Sequence, residues 1–140
     1  MKFNYYGHSA FTLSDDVTTI LFDPFITDNP WTDVCPTDIA CQYIIITHGH
    51  GDHYGDAEAI AKANDATIIS TAEIAGKAGN AGCKAHAMHV GGSAAFPFGR
   101  VRLTPPSTAR ALQADWPVVS SSSSAASAFT LPVIQASSQI

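Results

Sequence analysis

The sequence predicts an α/β fold, a mixed sheet with helices on one face. Short apolar runs rich in β-branched residues, two stretches with helical spacing of apolar positions, and Gly- and Pro-marked joins carry that expectation. With 140 residues, 46% of them hydrophobic and 14% charged, the chain can build one domain with a real core and is too short for two ordinary ones.

Lys2 to Tyr5 and Ala10 to Leu13 are expected as short strands around a Gly7-His8-Ser9 turn. Thr18 to Phe22 is rich in β-formers and closes on Asp23-Pro24, which reads as a third strand. Gln42 to Ile46 is a short apolar run, as expected of a strand buried on both faces. Asp56 to Lys62 reads as a helix ending near Asn64, and Ala66 to Ser70 as the next strand. A second helix starts with Thr71 as its N-cap and ends near Gly79. Lys84 to Val90, then Ala95 to Phe98 and Val101 to Leu103 about Gly99, complete the strands.

All six histidines and all but two charged residues lie in residues 1–104; the exceptions are Arg110 and Asp115. A run of serines, Ser120 to Ser124, and many alanines fill the rest. Residues 106–140 are therefore expected to be a divergent, poorly ordered, low-complexity tail after a boundary at Leu103-Thr104-Pro105. The net charge of −5, with no basic patch, argues against nucleic acid as partner. No apolar run approaches a membrane span, and the first residues lack the apolar core of an export signal. Three cysteines without a C-x-x-C pair, Cys35, Cys41 and Cys83, fit buried, reduced thiols in a cytoplasm. Oligomeric state leaves no mark in the sequence.

The chemistry is concentrated in His48-Gly49-His50-Gly51-Asp52-His53. Imidazole nitrogens and carboxylate oxygens are the usual ligands of zinc and similar ions. Four such groups fall within six residues, on an expected loop between a buried strand and a helix, the edge where α/β sheets usually build sites. Gly49 and Gly51 are expected to let the backbone turn sharply, aiming His48 and His50 at one ion and Asp52 and His53 at a second. A closed structural zinc site would want separated ligand pairs instead.

Thr47 to His53 resembles the H-x-H-x-D-H signature of the metallo-β-lactamase superfamily. Together with Gly7-His8-Ser9, Asp23-Pro24-Phe25 and Met88-His89-Val90-Gly91-Gly92, residues 1–105 resemble the N-terminal half of its uncharacterised metal-dependent hydrolases, near the lactonase branch. The resemblance implies half of an αββα sandwich with two divalent ions, zinc first and manganese or iron as substitutes. His48, His50, Asp52 and His53 would be ligands. Asp52 would also act in catalysis by orienting the attacking water, and Asp23 would accept a hydrogen bond from a ligand imidazole and fix its tautomer. His8 and His89 would lie near the mouth of a pocket for a small-molecule substrate; His86, alternating with Met88 on an expected strand, reads instead as a surface or packing residue. The implied activity is hydrolysis of an ester, lactone, amide or phosphoester by a water whose pKa the ions lower to about 7.

The family's later Ala-Phe-His-Gly-Ser and Gly-Asp-Thr-Gly segments, which supply a third histidine and a bridging aspartate, are absent. Read one base out of frame, Ser107 to Ala111 permits Phe-His-Gly-Ser-Gly, and Pro132 to Ala136 permits Gly-Asp-Thr-Gly. Residues 106–140 are thus read as out-of-frame translation of a truncated chain. Two protein ligands per ion would remain where catalytic zinc normally has three, so weak metal binding and impaired activity are expected. A non-catalytic fragment is the alternative. A half-sandwich is also expected to expose the sheet face meant for the missing half.

Overall fold

A computed structural model describes residues 1–104 and, as backbone, 118–121. The chain divides into two compact units, Met1–His89 and Val90–Ile140.

The first unit is a six-stranded sheet in sequence order: β1 (Lys2–Gly7), β2 (Ala10–Ser14), β3 (Thr19–Phe22), β4 (Tyr43–Ile45), β5 (Thr67–Thr71) and β6 (Lys84–Met88). Strands β1 to β3 run antiparallel and β3 to β6 parallel. A short connection allows antiparallel pairing. Asp15 makes one such turn by accepting the Val17 and Thr18 amides (2.8 and 2.6 Å), which holds its carboxyl below the usual value. Parallel pairing needs longer crossovers, supplied by helices α1 (Gly51–Tyr54), α2 (Ala57–Asn64) and α3 (Ala72–Asn80). A 3-10 turn, Pro36–Asp38, interrupts the segment between β3 and β4.

Side chains alternate across a strand, so Ile44 and Ile45 face opposite ways. Leu21, Ile44, Ile46 and Ile68 meet Ala57, Ile60 and Ala61 of α2 and Ala78 of α3 in one buried cluster. Ile45 and Ile69, on the other face, are also 0% exposed. The expected bare sheet face is therefore not found at its centre. The exposed large apolar side chains of this sheet sit on edge strand β1, at Phe3 and Tyr5. Thr71 occupies the N-cap position of α3, as expected, but its side chain makes no capping hydrogen bond. Cys41 alone of the cysteines is buried, and burial pushes its thiol up to about 12; Cys83 is intermediate and Cys35 exposed, against the expectation of three buried thiols.

In the second unit, β7 (Ser93–Phe96) and β8 (Gly99–Thr104) form the expected hairpin, with Pro97 and Phe98 between the paired ends Phe96 and Gly99. β9 (Val118–Ser121) pairs antiparallel with β8. The remainder of the tail, 105–117 and 122–140, including the frame-shifted reading, lies outside the described residues.

The metal-motif segment differs from the expected loop. Gly51, Asp52 and His53 belong to α1, and neither Gly49 nor Gly51 takes a positive φ. A Cβ on Gly51 would meet nothing within 4 Å. Near the motif, the glycine the fold requires is Gly55, at φ +39°, where a Cβ would overlap the Pro24 carbonyl oxygen and the Phe25 backbone. Gly55→Ala is expected to destabilise the chain by about 2 kcal/mol or more. Gly51→Ala is expected to stay within about 0.5 kcal/mol of the parent. Urea denaturation midpoints of the two variants check the pair.

Candidate metal centre

Register brings three chain segments to one edge of the sheet. Phe11 pairs with Phe22, and Phe22 with Ile45. The Gly7-His8-Ser9 turn before β2, Asp23 after β3 and Thr47-His48 after β4 therefore emerge side by side. This is the carboxyl edge of the parallel strands, where open α/β sheets place their ligands. The α1 turn then carries Asp52 and His53 over the same edge.

Asp23 is 3% exposed and sits at φ +39°, a strained conformation for a residue with a Cβ. Its amide donates to the Ile45 carbonyl at 3.0 Å, the last rung between the neighbouring strands. Its carboxylate accepts three hydrogen bonds. The Thr47 amide reaches Oδ1 at 2.7 Å, and the Thr47 hydroxyl and His53 Nδ1 reach Oδ2 at 2.7 and 2.9 Å. A carboxylate only accepts, so His53 Nδ1 must carry the ring proton. The lone pair of His53 is then on Nε2.

The same bookkeeping passes through Thr47. Its hydroxyl has one proton, given to Asp23, so it must accept toward His48 Nδ1 at 2.9 Å. His48 is thereby also the Nδ1–H tautomer with its lone pair on Nε2. Burial, followed by the neighbouring His53 ring, pushes the His48 pKa down to about 4, so this imidazole is neutral at pH 7. One buried carboxylate sets the tautomers of two imidazoles, the arrangement that orients metal-binding histidines.

The His48 ring lies 4.9 Å from that of His50 and 3.8 Å from that of His53, centroid to centroid. His8, expected only near a pocket mouth, stands inside the cluster. Its Nε2 is 3.4 Å from Asp52 Oδ2, and its ring centroid is 5.0 Å from that of His53. Ser9 Oγ lies between the two Nδ1 atoms, 3.0 Å from His8 and 2.9 Å from His53. Donor atoms of His8, Asp52 and His53 all fall within 4.8 Å of one another. His89, exposed beyond β6, is not in that group, and His86 is exposed on β6.

Imidazoles bonded through Nδ1, beside a carboxylate, fit a divalent cation. The residues that sequence reasoning passed over are Ser9 and Thr47. The available signal was a hydroxyl residue directly beside a histidine in both Gly7-His8-Ser9 and Thr47-His48. Asp23→Asn, which cannot accept from both Thr47 and His53 as a carboxylate does, is expected to weaken zinc binding about 10- to 100-fold by chelator competition. Thr47→Val removes the hydroxyl that links Asp23 to His48 and leaves the direct bond between Asp23 and His53. In long-range 15N NMR of the rings, His48 should then lose its Nδ1–H preference while His53 keeps it.

The profile of the metallo-beta-lactamase superfamily matches residues 7–116. A UPF0173 metal-dependent hydrolase of Natranaerobius thermophilus is 52% identical over 105 residues, covering 75% of this chain and 47% of that protein. The UPF0173 metal-dependent hydrolase YtkL of Bacillus subtilis is 48% identical over 104 residues, 74% of this chain and 46% of its own. Among solved structures, Igni18, a metallo hydrolase from the hyperthermophilic archaeon Ignicoccus hospitalis, superposes with a TM-score of 0.71 at 29% identity. That match covers 85% of this chain and 55% of the other. The chain spans about half the length of the curated relatives it matches. With a family match over most of its length and a mixed sheet of the corresponding fold, the chain belongs to the metallo-beta-lactamase superfamily.

Proposed function

We propose that this chain carries the N-terminal ligand set of a metal-dependent hydrolase acting on a small-molecule ester, lactone, amide or phosphoester. The observation that supports the reading is the Asp23 network, which binds Nδ1 of His53 directly and Nδ1 of His48 through Thr47, in the segment that carries His50 and Asp52. In this reading His48, His50, Asp52 and His53 hold divalent ions, zinc in the first place, with manganese or iron as substitutes. When bound, such ions make a water acidic enough to ionise near neutral pH and polarise the oxygen of the scissile group. Asp23 and Thr47 keep the imidazoles in the binding tautomer. Asp52, on the first turn of α1, both ligates and orients the attacking water.

His48 and His50 give one ion two protein ligands, fewer than the three usual for catalysis. Turnover by this chain is therefore expected to be low. That shortfall, with the half-length match, favours one second reading, a non-catalytic fragment that retains metal. No helix among the described residues is long and apolar enough to cross a membrane. The three cysteines are free thiols, which fits a reducing cytoplasm.

The zinc- or manganese-loaded chain is to be assayed on a carboxylic ester, a lactone and a phosphodiester. Slow hydrolysis that a chelator abolishes, and that Asp52→Ala and His50→Ala each lower about tenfold or more, is the expected result. Hydrolysis indifferent to the chelator overturns the proposal. Bound metal without any turnover identifies the fragment reading.

A further inference from the structure

We infer that His8, Asp52 and His53 together hold one divalent cation in this chain, with His8 as its third protein ligand. This rests on the reading of the edge as a metal centre and changes how the ions are shared out. The motif alone assigns two ligands to each ion. The structure adds a histidine from the β1–β2 turn, more than forty positions away in sequence, to one pair and not to the other.

The spacing fits. Two donors on one zinc, each roughly 2.0–2.1 Å from it, lie about 3.3 Å apart at the tetrahedral angle. His8 Nε2 and Asp52 Oδ2 are 3.4 Å apart. The remaining donor separations are within 4.8 Å, which small rotations of the exposed His8 and Asp52 side chains can close. Two imidazoles and one carboxylate, with the other positions open, make a set that takes zinc, iron(II), manganese or cobalt.

The hydrogen bonds fit as well. A ring that binds through Nε2 carries its proton on Nδ1, and that proton needs an acceptor. His53 has Asp23 Oδ2. His8 Nδ1 lies 3.0 Å from Ser9 Oγ, whose two lone pairs can accept from His8 and share the proton of His53. The backbone is held for the purpose too. His8 sits at φ +53°, a conformation that Gly, Asn or Asp adopt more cheaply. Its carbonyl is fixed by the Tyr5 hydroxyl at 2.8 Å, and the strained residue is the one whose ring reaches Asp52.

The test uses the full 140-residue chain, stripped with EDTA and titrated with cobalt(II), with zinc content measured after gel filtration. His8→Asn is the principal variant because Asn tolerates the left-handed backbone; His8→Gly, which tolerates it fully, is the second. One tightly held ion is expected in the parent. It should be weakened about tenfold or more in both His8 variants and be unchanged in His50→Ala. In the unaltered chain, one equivalent of zinc should shift the ring NMR signals of His8 and His53 and leave those of His50 in place. Retention by the His8 variants together with loss in His50→Ala, or zinc shifts at His50 instead of His8, overturns the inference and leaves the metal-centre reading intact. A parent chain that binds no ion overturns both.

Discussion

The site depends on one buried carboxylate. Removing Asp23 from water is costly unless its oxygens are hydrogen-bonded, and here three donors compensate: the Thr47 amide, the Thr47 hydroxyl and His53 Nδ1. None of the three is a solvent-facing group that could be swapped without consequence. The donors also belong to different elements: Thr47 follows β4, and His53 lies on α1. The carboxylate therefore joins strand end, motif and helix in a single satisfied network. Among the described residues, no buried side-chain nitrogen or oxygen lacks a partner.

Holding that carboxylate in place is the work of the surrounding loop. Asp56 occupies the N-cap position of α2 yet makes no side-chain cap. Its carboxylate accepts instead from the Ile26 and Thr27 amides at 3.0 and 2.8 Å and from the Thr27 hydroxyl. The Asp56 amide donates to the Pro24 carbonyl at 2.8 Å. Asn29, 5% exposed, donates to the Tyr6 and Phe25 carbonyls at 3.1 and 2.9 Å, bonding the same loop to the end of β1. The strain at Asp23, and at His8 one turn away, persists because this frame over-determines both positions. Helix stability is given up at α2 so that the loop bearing Asp23 is rigid.

Local patterns made the scaffold legible. The Ile44-Ile45-Ile46 run announced a strand buried on both faces, and the spacing of apolar positions with the flanking cap residues placed α2 and α3 to within a residue or two. The crowding of His48, His50, Asp52 and His53 is what directs attention to this edge as the proposed metal centre. What stayed hidden is non-local. Ser9 and His53 are 44 positions apart, and only the register of β2 against β3 and of β3 against β4 brings them together. Glycine was misread for the same reason. Gly49 and Gly51 look like the freedom the motif needs, but the close approach is at Gly55, where a segment 31 positions earlier crosses. That α1 forms inside the motif was likewise hidden, because one turn of helix bounded by glycines has no amphipathic pattern to read.

These contacts divide the site unevenly. Everything that orients the imidazoles, Ser9, Asp23 and Thr47, comes from the first 47 residues and is complete within the first unit. The proposed ligands are also held unequally. His53 has a direct bond to the buried carboxylate and a neighbouring His8, whereas His48 is held through an intervening hydroxyl and has His50, exposed, beside it. An imidazole tied straight to a carboxylate is the more basic and better fixed ligand. The Asp52–His53 side of the edge is accordingly the better prepared to bind a cation with the residues of this chain alone. The His48–His50 side is the one that has most to gain from a further ligand.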